Sequence, residues 1–242
     1  MERYLPILCP VVIGLIFFVI FTIKCHKQRS VGGVFLKNAV SIFFIVTAAV
    51  ALWKNPWNIR YGLPILVGLV FGMLGDIYLD QKWVYPDDMR KYLYAGFTSF
   101  GIGHLFYIPA IYYAADIPLK YCWIPLLFGA VVCGFTLATE KATKQHFGEF
   151  RPTVAVYGVI VAGMAGTSML AAVYTHGNPA FVCCAVGGVM FLISDLILSP
   201  MYFGPKEKNN SVNFFINHLT YYIAQYLLAI SIALLTCSVS CS

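Results

Sequence analysis

The sequence predicts an all-α polytopic membrane protein: one bundle of about eight transmembrane helices, with both termini outside. Three observations predict it. Apolar residues make up 60% of the chain and charged residues 11%, against roughly a quarter charged in a soluble domain. A soluble fold of 242 residues cannot hide so much apolar surface, whereas a bilayer can. Apolar runs of spanning length recur from one end to the other. Lys and Arg gather in alternate joints, which sets an orientation.

The runs lie at 5–23, 35–53, 62–80, 93–114, 119–138, 153–174, 177–199 and 213–236. The first is followed, not preceded, by its basic cluster of Lys24, Lys27 and Arg29. It therefore reads as a first transmembrane helix rather than a signal peptide. The joints are short and rich in Pro, Gly and charge, as in KNPWNIRYG, QKWVYPDDMRK and PMYFGPKEKNN. None can house a soluble domain, so residues 1–242 read as one domain. Of the sixteen Lys and Arg, only Arg3, Lys54, Arg60 and Lys120 fall on the side of the even joints. The positive-inside rule places the joints between helices 1–2, 3–4, 5–6 and 7–8 in the cytoplasm. The compact loops suit a bacterial cell membrane or an endoplasmic reticulum membrane equally.

The net charge of +6 is dispersed, with no basic patch or tail to hold nucleic acid. The eight cysteines sit mostly in apolar runs and form no CxxC pair, so they read as small apolar packers. A disulfide between Cys237 and Cys241, within about one helical turn, would constrain little. Gly68 and Gly72 in helix 3, and Gly187 and Gly188 in helix 7, mark close helix contacts.

Few strongly polar groups fall within the spans: Asp76, His104, Asp195, His218 and Gln225. An ionisable group inside the bilayer costs at least roughly 2.5–3.5 kcal/mol, so Asp76 and Asp195 are expected to face the bundle interior. Each lies about four residues before the cytoplasmic end of its run, roughly 6 Å deep. His218, Tyr222 and Gln225 share one helix face, and His104 and Tyr107 are a turn apart. Together they describe a polar pocket open to the inner leaflet. Asp80 and Glu140, at helix ends, read as interfacial.

A weak repeat fits this pocket. Gly75-Asp76-Ile77-Tyr78-Leu79 resembles Ser194-Asp195-Leu196-Ile197-Leu198, and the next helices both read x-His-Leu-x-Tyr, at His104 and His218. Four helices separate the copies, so both run the same way. A pseudo-two-fold along the membrane normal would bring the aspartates together.

At these residues the sequence resembles the YhhN family, whose animal members are lysoplasmalogenases. The resemblance runs from helix 2 onward through LGDIYL, GHLFYI, PTVAVY, GGVMFLISDLIL and YYIAQ. One departure is visible, because the family's Lys-Pro entry to helix 2 stands here as Lys37-Asn38. The resemblance implies hydrolysis of a vinyl ether lysophospholipid to a fatty aldehyde and a glycerophospho-base, with water as co-substrate and no organic cofactor.

That reaction needs an acid to protonate the vinyl carbon remote from oxygen and a base to help water add. Asp76 and Asp195 are the expected pair, with the acid unassigned between them. His104, Tyr107, Tyr222 and Gln225 are expected to orient water or bind glycerol hydroxyls. Lys37, Lys141 or Arg151 would meet the lipid phosphate. Three other readings stay open: a metal-dependent lipid hydrolase drawing ligands from His104, His218, Asp76 and Asp195; a transporter or lipid-moving protein using the acids for proton coupling; and a purely structural membrane protein.

Overall fold

A computed structural model of the chain describes residues 5–25 and 31–235. Among these residues there are eight long helices and no strand. They are α1 (Leu5–Cys25), α2 (Val31–Lys54), α3 (Ile59–Val84), α4 (Met89–Ala114), α5 (Trp123–Ala138), α6 (Arg151–Tyr174), α7 (Pro179–Phe203) and α8 (Ser211–Leu234). Arg3, Lys27, Arg29, Cys237 and Cys241 lie outside the described residues.

Local sequence explains where the helices begin. Pro152 stands in the first turn of α6 and Pro179 opens α7, positions where the missing N–H costs nothing. The Asn178 side chain caps α7 by accepting from the Ala180 N–H at 3.0 Å. Asn210 caps α8 by accepting from Asn213 N–H at 2.9 Å. Such side chains satisfy backbone donors that have no partner within the helix.

Six helices are long and apolar enough to cross a membrane: α1, α2, α3, α5, α6 and α7. The other two, α4 and α8, have 26 and 24 residues, beyond the roughly 20 that a crossing needs. Their composition is more polar than expected of a span because both turn polar side chains inward. Buried residues include Ser99 and His104 on α4, and Asn217, Gln225 and Ser231 on α8. Large apolar residues point outward on these two helices as on the others, with Leu105 at 53% and Phe135 at 71% exposed.

The packing has the pattern that two parallel halves give. Within each half, α1 packs on α2, α2 on α3 and α3 on α4, as do α5 on α6, α6 on α7 and α7 on α8. Between halves, α2 lies against α8 and α6 against α4. The sequence match also extends a turn further than x-His-Leu-x-Tyr. His104 Nδ1 pairs with Phe100 O and His218 Nδ1 with Phe214 O, both at 2.8 Å.

The glycines mark close contacts as expected. A Cβ on Gly72 would stand 2.5 Å from Gln225 Nε2, and one on Gly188 would stand 3.0 Å from Ala165 Cα. Of the described cysteines, Cys133 and Cys184 are buried, whereas Cys9 and Cys122 lie on the outer surface. At the bundle end away from the polar pocket, Tyr61 Oη meets Cys184 Sγ at 3.0 Å and Ser231 Oγ at 2.5 Å. That contact clasps α3, α7 and α8.

Candidate active site

The joints α3–α4, α5–α6 and α7–α8 share one end of the bundle, and a polar cavity lies just inside it. Lys37, Asp76, Asp80, Asp195, His218 and Tyr221 are among its lining. Both expected aspartates therefore reach one cavity, from α3 and α7.

Their surroundings differ. Lys37 on α2 places its ammonium 3.2 Å from Asp76 Oδ1 and 3.2 Å from Asp80 Oδ1. The two carboxylates are one turn apart on α3, so both face α2. One turn beyond Lys37, Ser41 Oγ donates to Asp76 Oδ2 at 2.8 Å. Tyr221 Oη donates to the same oxygen at 2.7 Å. Asp76 thus accepts from an ammonium and two hydroxyls, the full company of a buried carboxylate. Asp195 Oδ2 instead accepts from Tyr157 Oη at 2.7 Å, a neutral donor on α6.

The small residue before each aspartate serves the neighbouring helix. A Cβ on Gly75 would stand 2.6 Å from the Phe100 ring of α4. Ser194 is pinned to α8: Asn217 Nδ2 donates to Ser194 O at 2.8 Å, and Ser194 Oγ donates to Asn217 O at 3.1 Å. Phe100, Phe191 and Tyr221 close the inner wall, with ring centroids 5.5 to 6.0 Å apart in edge-to-face pairs.

Several expected binding residues lie one layer behind that wall. His104 is 1% exposed and does not line the cavity. Its ring packs edge-on against Phe191 at 4.4 Å between centroids, because it lies beyond the middle of α4, whereas the acids sit near one bundle end. His218, near the start of α8, occupies the lining position instead. Gln225 Nε2 donates to Tyr221 Oη at 3.0 Å, and Tyr107 Oη donates to Gln225 Oε1 at 3.4 Å. Tyr222 Oη donates to the Lys37 carbonyl at 3.2 Å. These three side chains hold Tyr221 and α2 in place; the cavity lining does not include them.

Lys37 is no edge base waiting for a phosphate, because two carboxylates already engage its ammonium. Asp80 is not interfacial either, since it turns inward to share that lysine. Its spacing from Asp76 was the signal for it, as the Lys37–Ser41 spacing was for Ser41. No comparable signal marked Tyr157 as the partner of Asp195. Glu140 does tie the α5–α6 joint, accepting from Phe147 N–H at 2.9 Å and pairing with Arg151 at 3.4 Å. Among the described residues, no three His, Cys, Asp or Glu side chains converge as a metal site would require.

No curated protein and no solved structure matches the chain. The YhhN family model matches residues 36–232, from the turn before Lys37 to the last turns of α8. With that match covering most of the chain and both aspartates, the chain belongs to the YhhN family.

Proposed function

We propose that the protein is a membrane-embedded hydrolase that cleaves the vinyl ether bond of a lysoplasmalogen. One observation carries the reading: two carboxyl groups reach one cavity from helices of opposite halves, and their donors differ in charge. Family membership supports it, because the animal members are lysoplasmalogenases.

In this reading Asp195 is the acid. Its carboxyl proton passes to the vinyl carbon remote from oxygen, leaving an oxocarbenium ion whose charge falls on the carbon bonded to oxygen. Asp76, held as a carboxylate by Lys37, Ser41 and Tyr221, stabilises that cation electrostatically. Water adds to the cationic carbon and returns a proton to Asp195. The hemiacetal then collapses to a fatty aldehyde and a glycerol hydroxyl, so no net proton is consumed. One group gives the proton and the other keeps its charge, the usual division of labour between carboxyl groups in unlike surroundings.

All eight helices cross the bilayer in this proposal, with both termini outside. The distribution of Lys and Arg supports it, and the cavity then faces the cytoplasmic leaflet. The parallel halves also suit a transporter, so turnover must be measured directly. Purified protein is incubated with lysoplasmalogen and with an ester-linked lysolipid, and products are followed by mass spectrometry. The expected outcome is aldehyde from the vinyl ether lipid alone, lost in Asp76→Asn and in Asp195→Asn. Full turnover by folded variants would overturn the assignment of the pair. No turnover by folded wild-type protein would transfer the aspartates to proton coupling, read as proton flux in liposomes.

A further inference from the structure

Asp195 has two sides. One meets the polar cavity; the other meets a second cavity enclosed by α4, α5, α6 and α7. Its walls are largely apolar, with Phe97, Cys133, Val154, Gly158, Val161 and Leu192 among them. Asp195, Leu198 and Tyr202 line both cavities, so the carboxyl stands at the boundary between a polar chamber and an apolar slot.

The slot leads outward. Val132, Thr136, Leu196 and Ser199 also line a groove between α5 and α7 on the outside of the bundle. Near the slot its residues are apolar and turned outward, including Val131 at 61% and Leu196 at 47% exposed, while Lys144, Gln145, Glu207 and Lys208 line its end at the α5–α6 and α7–α8 joints. The groove exists because α5 leans mainly on α6. The two helices, α5 and α6, approach closely at two glycines. A Cβ on Gly129 would stand 2.6 Å from Val159 O, and one on Gly166 would stand 3.1 Å from Pro125 Cα. Beside Asp195 they stay in contact, with Cys133 Sγ 3.3 Å from Ala155 O, but Gly158 carries no side chain and a Cβ there would find its nearest neighbour, Cys133 Sγ, at 3.5 Å. Along α6 the slot runs from Val154 to Val161, about 10 Å at the helical rise.

We infer that this slot and groove receive the hydrocarbon chain of a single-chain lipid entering sideways from the bilayer between α5 and α7. The apolar walls would leave a charged headgroup without partners, while a methylene chain needs none. The polar chamber takes the other end. The first bonds of the chain, where it joins the glycerol, then lie beside Asp195 and Tyr157. The inference rests on the hydrolase reading for the chemistry at that bond, whereas chain binding is measured without turnover.

The probe is a saturated 1-O-alkyl lysophosphocholine with a diazirine near the end of its chain, which the proposed reaction cannot cleave. Purified protein is illuminated with it, digested and mapped by mass spectrometry. Label is expected on the α5 and α6 segments that flank the slot. Gly158→Phe, whose ring fills the slot, is expected to lose that label, as is Thr136→Trp at its mouth. Gly134→Phe, where an added Cβ meets nothing within 4 Å, is expected to keep it. Label scattered over all outward helix faces, or centred on α1, α2 and α8, would overturn the inference. Turnover of a vinyl ether lipid is measured on the same preparation. Label in the slot without turnover upholds the slot and defeats the hydrolase reading. Turnover with label elsewhere defeats the slot alone.

Discussion

Lys37 is the residue on which the polar cavity balances. Its ammonium is buried between two carboxylates, so removing it leaves negative charge without a counterion in a largely buried place. Lys37→Met is expected to destabilise the protein by roughly 3–5 kcal/mol, the cost of breaking a buried pair from one side. Lys37→Met combined with Asp76→Asn and Asp80→Asn should recover most of that loss. Thermal unfolding in detergent measures both, and equal melting temperatures for wild type and Lys37→Met would show that the pair carries no such weight. Tyr157 has a different task, because its hydroxyl is the donor that Asp195 meets. Tyr157→Phe should leave the fold intact and lower kcat about 10- to 100-fold, the loss of one hydrogen bond to a charged or charging group. An unchanged kcat would remove Tyr157 from the site. Residue types alone located the two aspartates, since an acid within an apolar run has to turn inward. They did not locate Asp80, because a carboxylate at a helix end turns to water or to a neighbour at similar cost in sequence terms. For His104 the inward face and the greater depth, near mid-membrane, were legible, but the wall of aromatic rings between it and the cavity was not.

At the scale of the helix, two of the eight differ from the rest in hydropathy. Residues of α4 and α8 that build the interior polar network lower the very average by which a crossing is recognised. The recurrence of long runs, taken along the whole chain, showed these helices where a threshold on each one does not. The glycines were legible because close helix approach leaves no room for a side chain. Gly188→Leu would drive its Cβ against the Ala165 backbone, 3.0 Å away, and part α6 from α7. The expected loss is about 1–3 kcal/mol, as for overpacking elsewhere. Gly134→Leu on the outer face of α5 should cost far less. Unfolding of the two variants side by side tests the contact, and similar melting temperatures would mean that the α6–α7 approach is not needed for stability.

For the molecule as a whole, orientation is the property most open to direct measurement. Single cysteines introduced into the α3–α4 joint at 85–88 and the α7–α8 joint at 205–210 should resist a membrane-impermeant thiol reagent in intact cells. Cysteines in the joints at 115–118 and 175–178 should react. The reverse pattern would invert the protein and move the cavity to the other leaflet. The number of helices, their parallel halves and the shared cavity were legible in the sequence because each is written as periodicity or as the position of a charge. Helix neighbours were only partly legible: short matches around Asp76 and Asp195 indicated two related halves, but not that α2 meets α8 while α6 meets α4.

Those halves carry a consequence for how two like groups come to act unlike. Two copies of one half, related by rotation, would present the same carboxyl twice with the same companion, and neither copy would be distinguished from the other. Covalent linkage of the halves in one chain lifts that constraint, because each position can then change alone. The companion contributed by α2 is a lysine and the one contributed by α6 is a tyrosine. One carboxyl thereby has a charged donor and the other a neutral one. In the fused chain each carboxyl can be given its own companion, which a rotationally identical dimer of halves could not provide.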